Sequence, residues 1–263
     1  MRPSRIKTRL RQGEKVLITC LHLMDPSVFE MTSLMGFDGI WLDLEHHGTS
    51  VETAAQMIRA TRVGVSDVII RPGKGEFIRL GRMLEAGAHA VMYPRCESVA
   101  EAQELVRWTK FAPLGERGFD GSGADVPYCS MSMAEYVREA NDQTFLVAQL
   151  EDPGAVDSAE AIARVEGIDA IMFGPADFSV LSGIPGEFDH PRVQEALRHV
   201  AQAAAKAGKH WGTPAFNPAH ARMLADLGAT LFFHMADIVL VRNGLLEIQK
   251  QFSSLGFTFP QRP

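Results

Sequence analysis

The sequence predicts an α/β protein, a (β/α)8 TIM barrel preceded by an N-terminal helix, and three observations carry that expectation. Eight short apolar runs alternate with about eight amphipathic stretches, the order expected when strands and helices take turns around a closed parallel sheet. Runs such as Val68-Ile69-Ile70 are apolar without alternation, as strands covered on both faces are. No Gly-x-Gly-x-x-Gly follows the first apolar run, which weighs against a doubly wound sheet.

The elements follow in order. The basic start, with Arg2, Arg5, Lys7, Arg9 and Arg11, lacks the apolar stretch of a secretory signal and reads as a solvated first helix. Strands are expected over residues 16–20, 39–44, 67–70, 90–93, 145–150, 170–173, 210–213 and 231–233. Helices are expected between them, over 27–35 after Asp25-Pro26, and over 50–61 with Ser50 as cap and Thr53 where a capping box prefers Glu. Further helices are expected over 76–85, 98–109, 156–164, 193–207 and 218–227. Several end at glycine (Gly87, Gly208, Gly228), as a left-handed C-cap favours. Residues 111–130 are irregular, with Gly115, Gly118, Gly121 and Gly123 around Arg117 and Asp120, and read as a lid or binding loop. Without a composition break or low-complexity linker, residues 1–263 read as a single domain.

Composition narrows the function classes. Hydrophobic residues make up 46% of the chain, enough for a sizeable core. A net charge of −6 offers no general attraction to nucleic acid or an anionic membrane. Cys20, Cys96 and Cys129 are far apart and form no Cys-x-x-Cys, which points to reduced thiols and a cytoplasmic setting. No apolar run approaches the length of a membrane span.

Polar residues stand where the apolar runs end, and burying them is costly unless they face a site. Strand parity puts Asp43 and Glu45 on one face, and Gln149 and Glu151 on another. Glu151 and Asp177 follow the fifth and sixth strands, neighbours in a barrel. Two adjacent carboxylates repel unless a proton or cation sits between them, and so few hard oxygen ligands suit Mg²⁺ or Mn²⁺, with Co²⁺ next. Either carboxylate could instead cap a helix, as Asp152 could before Pro153. His46, three residues after Asp43, is a candidate acid/base. His47 reads as a supporting or surface residue, and a zinc site lacks ligand-spaced partners. Arg71, before Pro72-Gly73, could grip a carboxylate or an enolate oxygen, or form a salt bridge to Glu45 or Asp43. In the turn Gly174-Pro175-Ala176-Asp177, the N–H groups of Ala176 and Asp177 could receive a substrate carboxylate, since Pro175 has none.

These residues resemble the HpcH/HpaI aldolase family of metal-dependent pyruvate aldolases, similar to 4-hydroxy-2-oxoheptanedioate aldolase. The resemblance runs from Gly36-Phe37-Asp38-Gly39-Ile40-Trp41-Leu42-Asp43-Leu44-Glu45-His46, through Arg71-Pro72 and Leu84-Glu85-Ala86-Gly87-Ala88, to the segment from Gly167 to Ser179 that contains Gly174-Pro175-Ala176-Asp177-Phe178-Ser179. It implies that Glu151 and Asp177 bind a divalent metal, that His46 is the acid/base oriented by Asp43, and that Arg71 holds the keto or enolate oxygen. It implies that Gln149 faces the substrate and that the Gly174–Asp177 turn receives the pyruvate carboxylate. Gly115-Glu116-Arg117-Gly118 looks like the family's Gly-x-Arg-Gly loop near the site. A homo-oligomer, hexamer or trimer, with the last helices on a neighbour is also implied. The chain departs from the pattern at His47-Gly48, at Asp152 and at Phe233-His234-Met235-Ala236-Asp237, where His234 and Met235 would crowd the mouth; Arg117 and His234 are the candidate acceptor-side residues.

The expected activity is therefore reversible, metal-dependent aldol cleavage of a 4-hydroxy-2-oxo acid to pyruvate, or a close 2-keto acid, and an aldehyde. The rivals are a CoA-ester lyase or an oxaloacetate-type decarboxylase or C–C bond-forming enzyme on the same core. A non-catalytic metal and keto-acid binding barrel is the third reading.

Overall fold

The computed structural model describes residues 1–260, so the last three residues of the expected 1–263 domain lie outside the described residues. The chain runs α1 (Arg5–Arg11), β1 (Val16–Leu21), α2 (Pro26–Leu34), β2 (Gly39–Asp43), α3 (Val51–Ala60), β3 (Asp67–Arg71), α4 (Leu80–Glu85), β4 (Ala90–Tyr93), α5 (Val99–Thr109) and α6 (Met133–Gln143). It continues with β5 (Phe145–Leu150), α7 (Pro153–Asp157), α8 (Ala159–Ala163), β6 (Ala170–Phe173), α9 (Pro175–Leu181), α10 (Pro191–Ala207), β7 (His210–Pro214), α11 (Pro218–Asp226), β8 (Leu231–Ala236) and α12 (Asp237–Ser253). All eight strands are parallel and close in sequence order, β8 pairing with β1. The expected (β/α)8 barrel with its N-terminal helix is what forms.

The caps explain several starts. Ser50 and Ser98 accept from the N–H groups of Thr53 and Glu101, and Asp25 and Asp152 accept from Ser27 and Gly154 ahead of Pro26 and Pro153. Such caps satisfy N–H groups that have no partner within the helix. The helix expected over 156–164 is instead two short ones, α7 and α8, which meet at Ser158.

Alternate residues of each strand form two cores. One face packs outward on the helices. The other fills the barrel: Ile18, Ile69, Met92, Val147, Met172 and Phe233, with Trp41 partly buried beside them. Ile6 and Leu10 of α1 join that inner cluster. Helix α1 thus plugs the end of the barrel where the strands begin. Asp67 anchors the plug, accepting from Ser4 Oγ at 2.6 Å and from the Ile6 N–H at 2.9 Å. One inward position further up, the apolar filling gives way to Cys20, Asp43, Arg71, Gln149, Pro214 and Met235 on six different strands. Asp67 aside, the charged inward positions gather at the end where the strands finish, the end that carries the site in such barrels.

One seam is left open. Leu17, facing outward on β1, stays 41% exposed, and a cavity of about 330 Å³ runs beside it along Phe232, Pro218 and Ala221. Helix α12, which follows β8, does not close this seam; only its Asp237 is buried. Among the described residues no helix is long and apolar enough to cross a membrane.

Candidate active site

The mouth is organised around Arg71. Its Nε and Nη2 donate to Asp43 Oδ1 and Oδ2 at 2.8 and 2.7 Å. Its guanidinium stacks 4.5 Å from the centre of the Trp41 ring and lies 3.2 Å from Glu45 Oε2. The paired register Asp43↔Arg71 on β2 and β3 sets this bidentate contact. Burial works against the charge on Asp43, but the Arg71 hydrogen bonds and charge outweigh it, and its carboxyl sits below the usual range. Glu45 goes the other way: burial pushes its carboxyl up, against the pull of Arg71. The expected salt bridge from Arg71 to Asp43 and Glu45 is formed with both.

Across the mouth, Glu151 is 1% exposed at the end of β5. Its Oε1 accepts from the Arg95 N–H at 3.0 Å and its Oε2 from Gln149 Nε2 at 2.6 Å. Arg95 takes a positive φ of 43° to present that N–H, a conformation that costs a non-glycine residue stability and persists only where the surroundings hold it. Burial, and then the charge of Asp177, push Glu151 up to about 7. Gly174 leaves the room that the Glu151 side chain occupies. A Cβ there would lie 2.3 Å from Glu151 Oε2, so any side chain would displace the carboxylate. Asp177 falls in the first turn of α9, which starts at Pro175 with no side-chain cap. The N–H groups of Ala176 and Asp177 thus belong to a turn that supplies them no helical partner.

Among the described residues, no group of three or more His, Cys, Asp or Glu side chains is arranged to hold a metal ion. The residues present fit an ion gripped by two carboxylates, Glu151 and Asp177, with oxygen from water or substrate completing the shell. The buried Oε1 of Gln149, which has no hydrogen-bond partner, is a further hard donor beside them. Burial and the charge of Asp177 both work against an ionised Glu151, a cost that a cation or a proton between the two carboxylates relieves.

Two expectations about histidine and arginine need correction. Asp43 does not meet His46. Its partners are Arg71, the Glu45 N–H at 3.1 Å and, at 3.8 Å, His47 Nε2. His46 is 59% exposed in its side chain, with Nε2 3.5 Å from Glu45 Oε2. β2 ends at Asp43, and Glu45, in the turn that follows, is the carboxylate that His46 meets. Arg117 was expected on the acceptor side and lies at the other end of the barrel. Its Nη2 reaches Asp125 Oδ2 at 3.1 Å and the Tyr136 hydroxyl at 2.8 Å, while its guanidinium stacks 4.7 Å from the Phe111 ring. Residues 111–130 follow α5, which descends to the end where the strands begin, and Ala124 and Asp125 bond the Glu85 carbonyl there. The loop is therefore no lid over this chain's own mouth.

His234 does line the mouth cavity, though its Nδ1 is already 2.6 Å from the Ala215 carbonyl oxygen. Sequence reasoning missed Cys20, His22 and Asp237. Asp237 accepts from the His22 and Leu23 N–H groups at 2.8 and 2.9 Å, joining the end of β1 to the start of α12. Cys20 occupies an inward strand position, a signal that was available; Asp237 had none before the closure of β8 on β1 was known.

Comparison with known proteins agrees with this geometry. The family model for HpcH/HpaI aldolase/citrate lyase matches residues 19–242. A hydroxypyruvate/pyruvate aldolase of Pseudomonas aeruginosa is 32% identical over 249 residues, covering 95% of this chain and 92% of that one. A 5-keto-4-deoxy-D-glucarate aldolase of Klebsiella pneumoniae subsp. pneumoniae is 31% identical over 251 residues, with 95% and 97% covered. The crystal structure of an HpcH/HpaI aldolase from Desulfitobacterium hafniense DCB-2 superposes with a TM-score of 0.86 at 30% identity, covering 98% of both chains.

Proposed function

The chain belongs to the HpcH/HpaI aldolase/citrate lyase family and is an aldolase-type carbon–carbon lyase, and from that premise we propose that it reversibly cleaves a 4-hydroxy-2-oxo acid to pyruvate, or a close 2-keto acid, and an aldehyde. The observation that carries this reading is the Glu151/Asp177 pair, whose buried member is pushed up to about 7 beside a buried Arg71. Glu151 and Asp177 would hold Mg²⁺ or Mn²⁺, with Co²⁺ a weaker fit to so hard a set. A divalent ion there supplies Lewis acidity to the keto-acid end of the substrate.

The chain's own groups do the rest. Arg71, fixed by Asp43 and Trp41, is pre-aimed at the oxygen that gains charge as the C–C bond breaks. Gln149 turns its free Oε1 toward the keto acid, and the first turn of α9 offers N–H groups to the carboxylate. His46, standing free at the rim beside Glu45, takes the proton from the C4 hydroxyl. The C3–C4 electron pair then moves to the keto oxygen, the aldehyde leaves, and a proton delivered to C3 gives the methyl group. Protein supplied with Mg²⁺ or Mn²⁺ is expected to exchange the methyl protons of pyruvate with D₂O, as seen by NMR. EDTA is expected to stop it, and exchange that persists after chelation rejects the metal site.

Helix α12 supports a homo-oligomer. It exposes Leu240 (55%), Leu245 (57%) and Ile248 (52%), and no described helix covers the seam between β8 and β1. The α12 of a second copy fills that seam in the proposed assembly, whose order is expected to be a trimer or hexamer. Light scattering coupled to gel filtration should give a multiple of the 28.9 kDa chain mass, and Leu245→Glu with Ile248→Glu should shift it to the monomer. A wild-type monomer at micromolar concentration counts against this packing.

A further inference from the structure

The mouth has a second wall that enolate formation leaves unused. On the β8, β1 and β2 side a cavity of about 230 Å³ lies against Arg71. Its floor is apolar, made by Trp41, Pro214, Phe233 and Met235. His22 stands on its edge and is held from several directions. Its Nε2 lies 3.2 Å from Cys20 Sγ, and its ring centre lies 4.5 Å from that of His47. Its backbone N–H, with that of Leu23, is bound by the buried Asp237 carboxylate. A histidine left to solvent on a loop needs none of these contacts; a ring that must present one edge to a bound molecule needs them all. The other imidazole on the wall, His234, is already tied to the Ala215 carbonyl and also borders the outer seam.

We propose that His22, braced by Cys20 and His47, selects the aldehyde partner by hydrogen-bonding a hydroxyl of a short, uncharged hydroxyaldehyde seated in this cavity. The assignment rests on the aldol reading above and adds to it the residue that chooses the acceptor. Two features decide for a neutral hydroxyl over a carboxylate. Among the described residues Arg71 is the one Lys or Arg that lines the cavity, and Asp43 and Glu45 already take up its charge, while Asp237, behind the His22 backbone, adds a further negative charge. Burial, and then the neighbouring His47, hold the His22 imidazole below its usual range, which favours its uncharged form. A carboxylated aldehyde would enter a negative field with no free cation to receive it. The volume suits an aldehyde of about three or four carbons with a few waters, given roughly 30 Å³ for each water.

The test compares kcat/KM for aldol addition of pyruvate to D-glyceraldehyde, butanal and succinic semialdehyde, with the metal supplied. Wild type is expected to favour glyceraldehyde over both others by at least about tenfold, because a site built to bond a hydroxyl rejects partners lacking it. His22→Ala is expected to erase most of that preference, chiefly through the KM for glyceraldehyde, and His22→Gln, which keeps hydrogen-bonding atoms, to retain much of it. A preference ratio is internal to each preparation, so partial misfolding of a variant does not mimic the effect. An unchanged ratio in His22→Ala overturns the proposal, as does a wild-type preference for succinic semialdehyde or butanal. Pyruvate–D₂O exchange run alongside separates the two levels. Wild type that exchanges while the ratio ignores His22 fails only the His22 assignment; wild type that does not exchange overturns the aldol reading and this assignment with it.

Discussion

Glu151→Gln is expected to lower activity by at least about 10³ and, in the same protein, to raise the stability of the metal-free fold at pH 8. The first effect follows from replacing a charged oxygen ligand by a neutral one in a two-carboxylate site, where even outer-shell changes typically cost about 10–100-fold in metal affinity. The second follows from linkage. Glu151 has an ordinary value of 4.5 and is pushed up to about 7 in the fold, by burial and then by Asp177. Between those two values the folded chain binds more protons than the unfolded one, so stability falls as pH rises through the window and stays low above it. The loss at pH 8 is about 3 kcal/mol for a displacement of this size. Glutamine carries no charge to bury and escapes it. The same proton competes with the metal, so wild-type metal affinity is expected to rise about tenfold per pH unit up to about 7 and then level off. Steady-state rates measure the loss of activity, and calorimetric titration of Mn²⁺ across pH 5.5–8, with thermal melts of both proteins in EDTA, measures the rest. A Gln variant that melts lower than wild type at pH 8, or a metal affinity flat in pH, rejects the account of the carboxylate pair.

The barrel and half of the mouth could be read from the sequence because both rest on short-range patterns. Val68-Ile69-Ile70 is a strand buried on both faces, and it forms as read. Gly174-Pro175-Ala176-Asp177 turns where expected, since Pro175 suits the first helical position. Arg117 went to the wrong end for a reason the order of elements contained. The connection from the end of α5 to the start of β5 begins and finishes at the opposite end from the mouth, and residues 111–130 lie within it, ahead of α6. A helix after β8 was implied only by the family resemblance, because Ile238, Val239, Leu240 and Val241 are apolar on every side and leave no stripe for periodicity to detect. The partner of Asp43 was misassigned because both His46 and His47 follow it closely, and only the path of the turn after β2 decides between them. His22 needed the closure of β8 on β1, a contact 215 residues apart in sequence.

Arg71→Met is expected to remove activity and stability together, and the two losses have different cures. The guanidinium is 6% exposed and bonds both oxygens of Asp43, which is itself 3% exposed. Removing it leaves a buried carboxylate without its partner, a change that costs about 3–5 kcal/mol. For a chain of this size that corresponds to a fall in Tm of roughly 10 °C. Asp43→Asn in the Arg71→Met background removes the stranded charge and is expected to restore most of the melting temperature. It cannot restore catalysis, because no donor then faces the oxygen that gains charge, and a loss of about 10²–10³ in kcat is expected to persist. Arg71→Lys separates geometry from charge: an ammonium keeps the charge but neither the two-point grip on Asp43 nor the stacking on Trp41, so activity should fall with little loss of stability. If the double variant regains activity along with its melting temperature, Arg71 serves the fold alone and the oxyanion role belongs to another group.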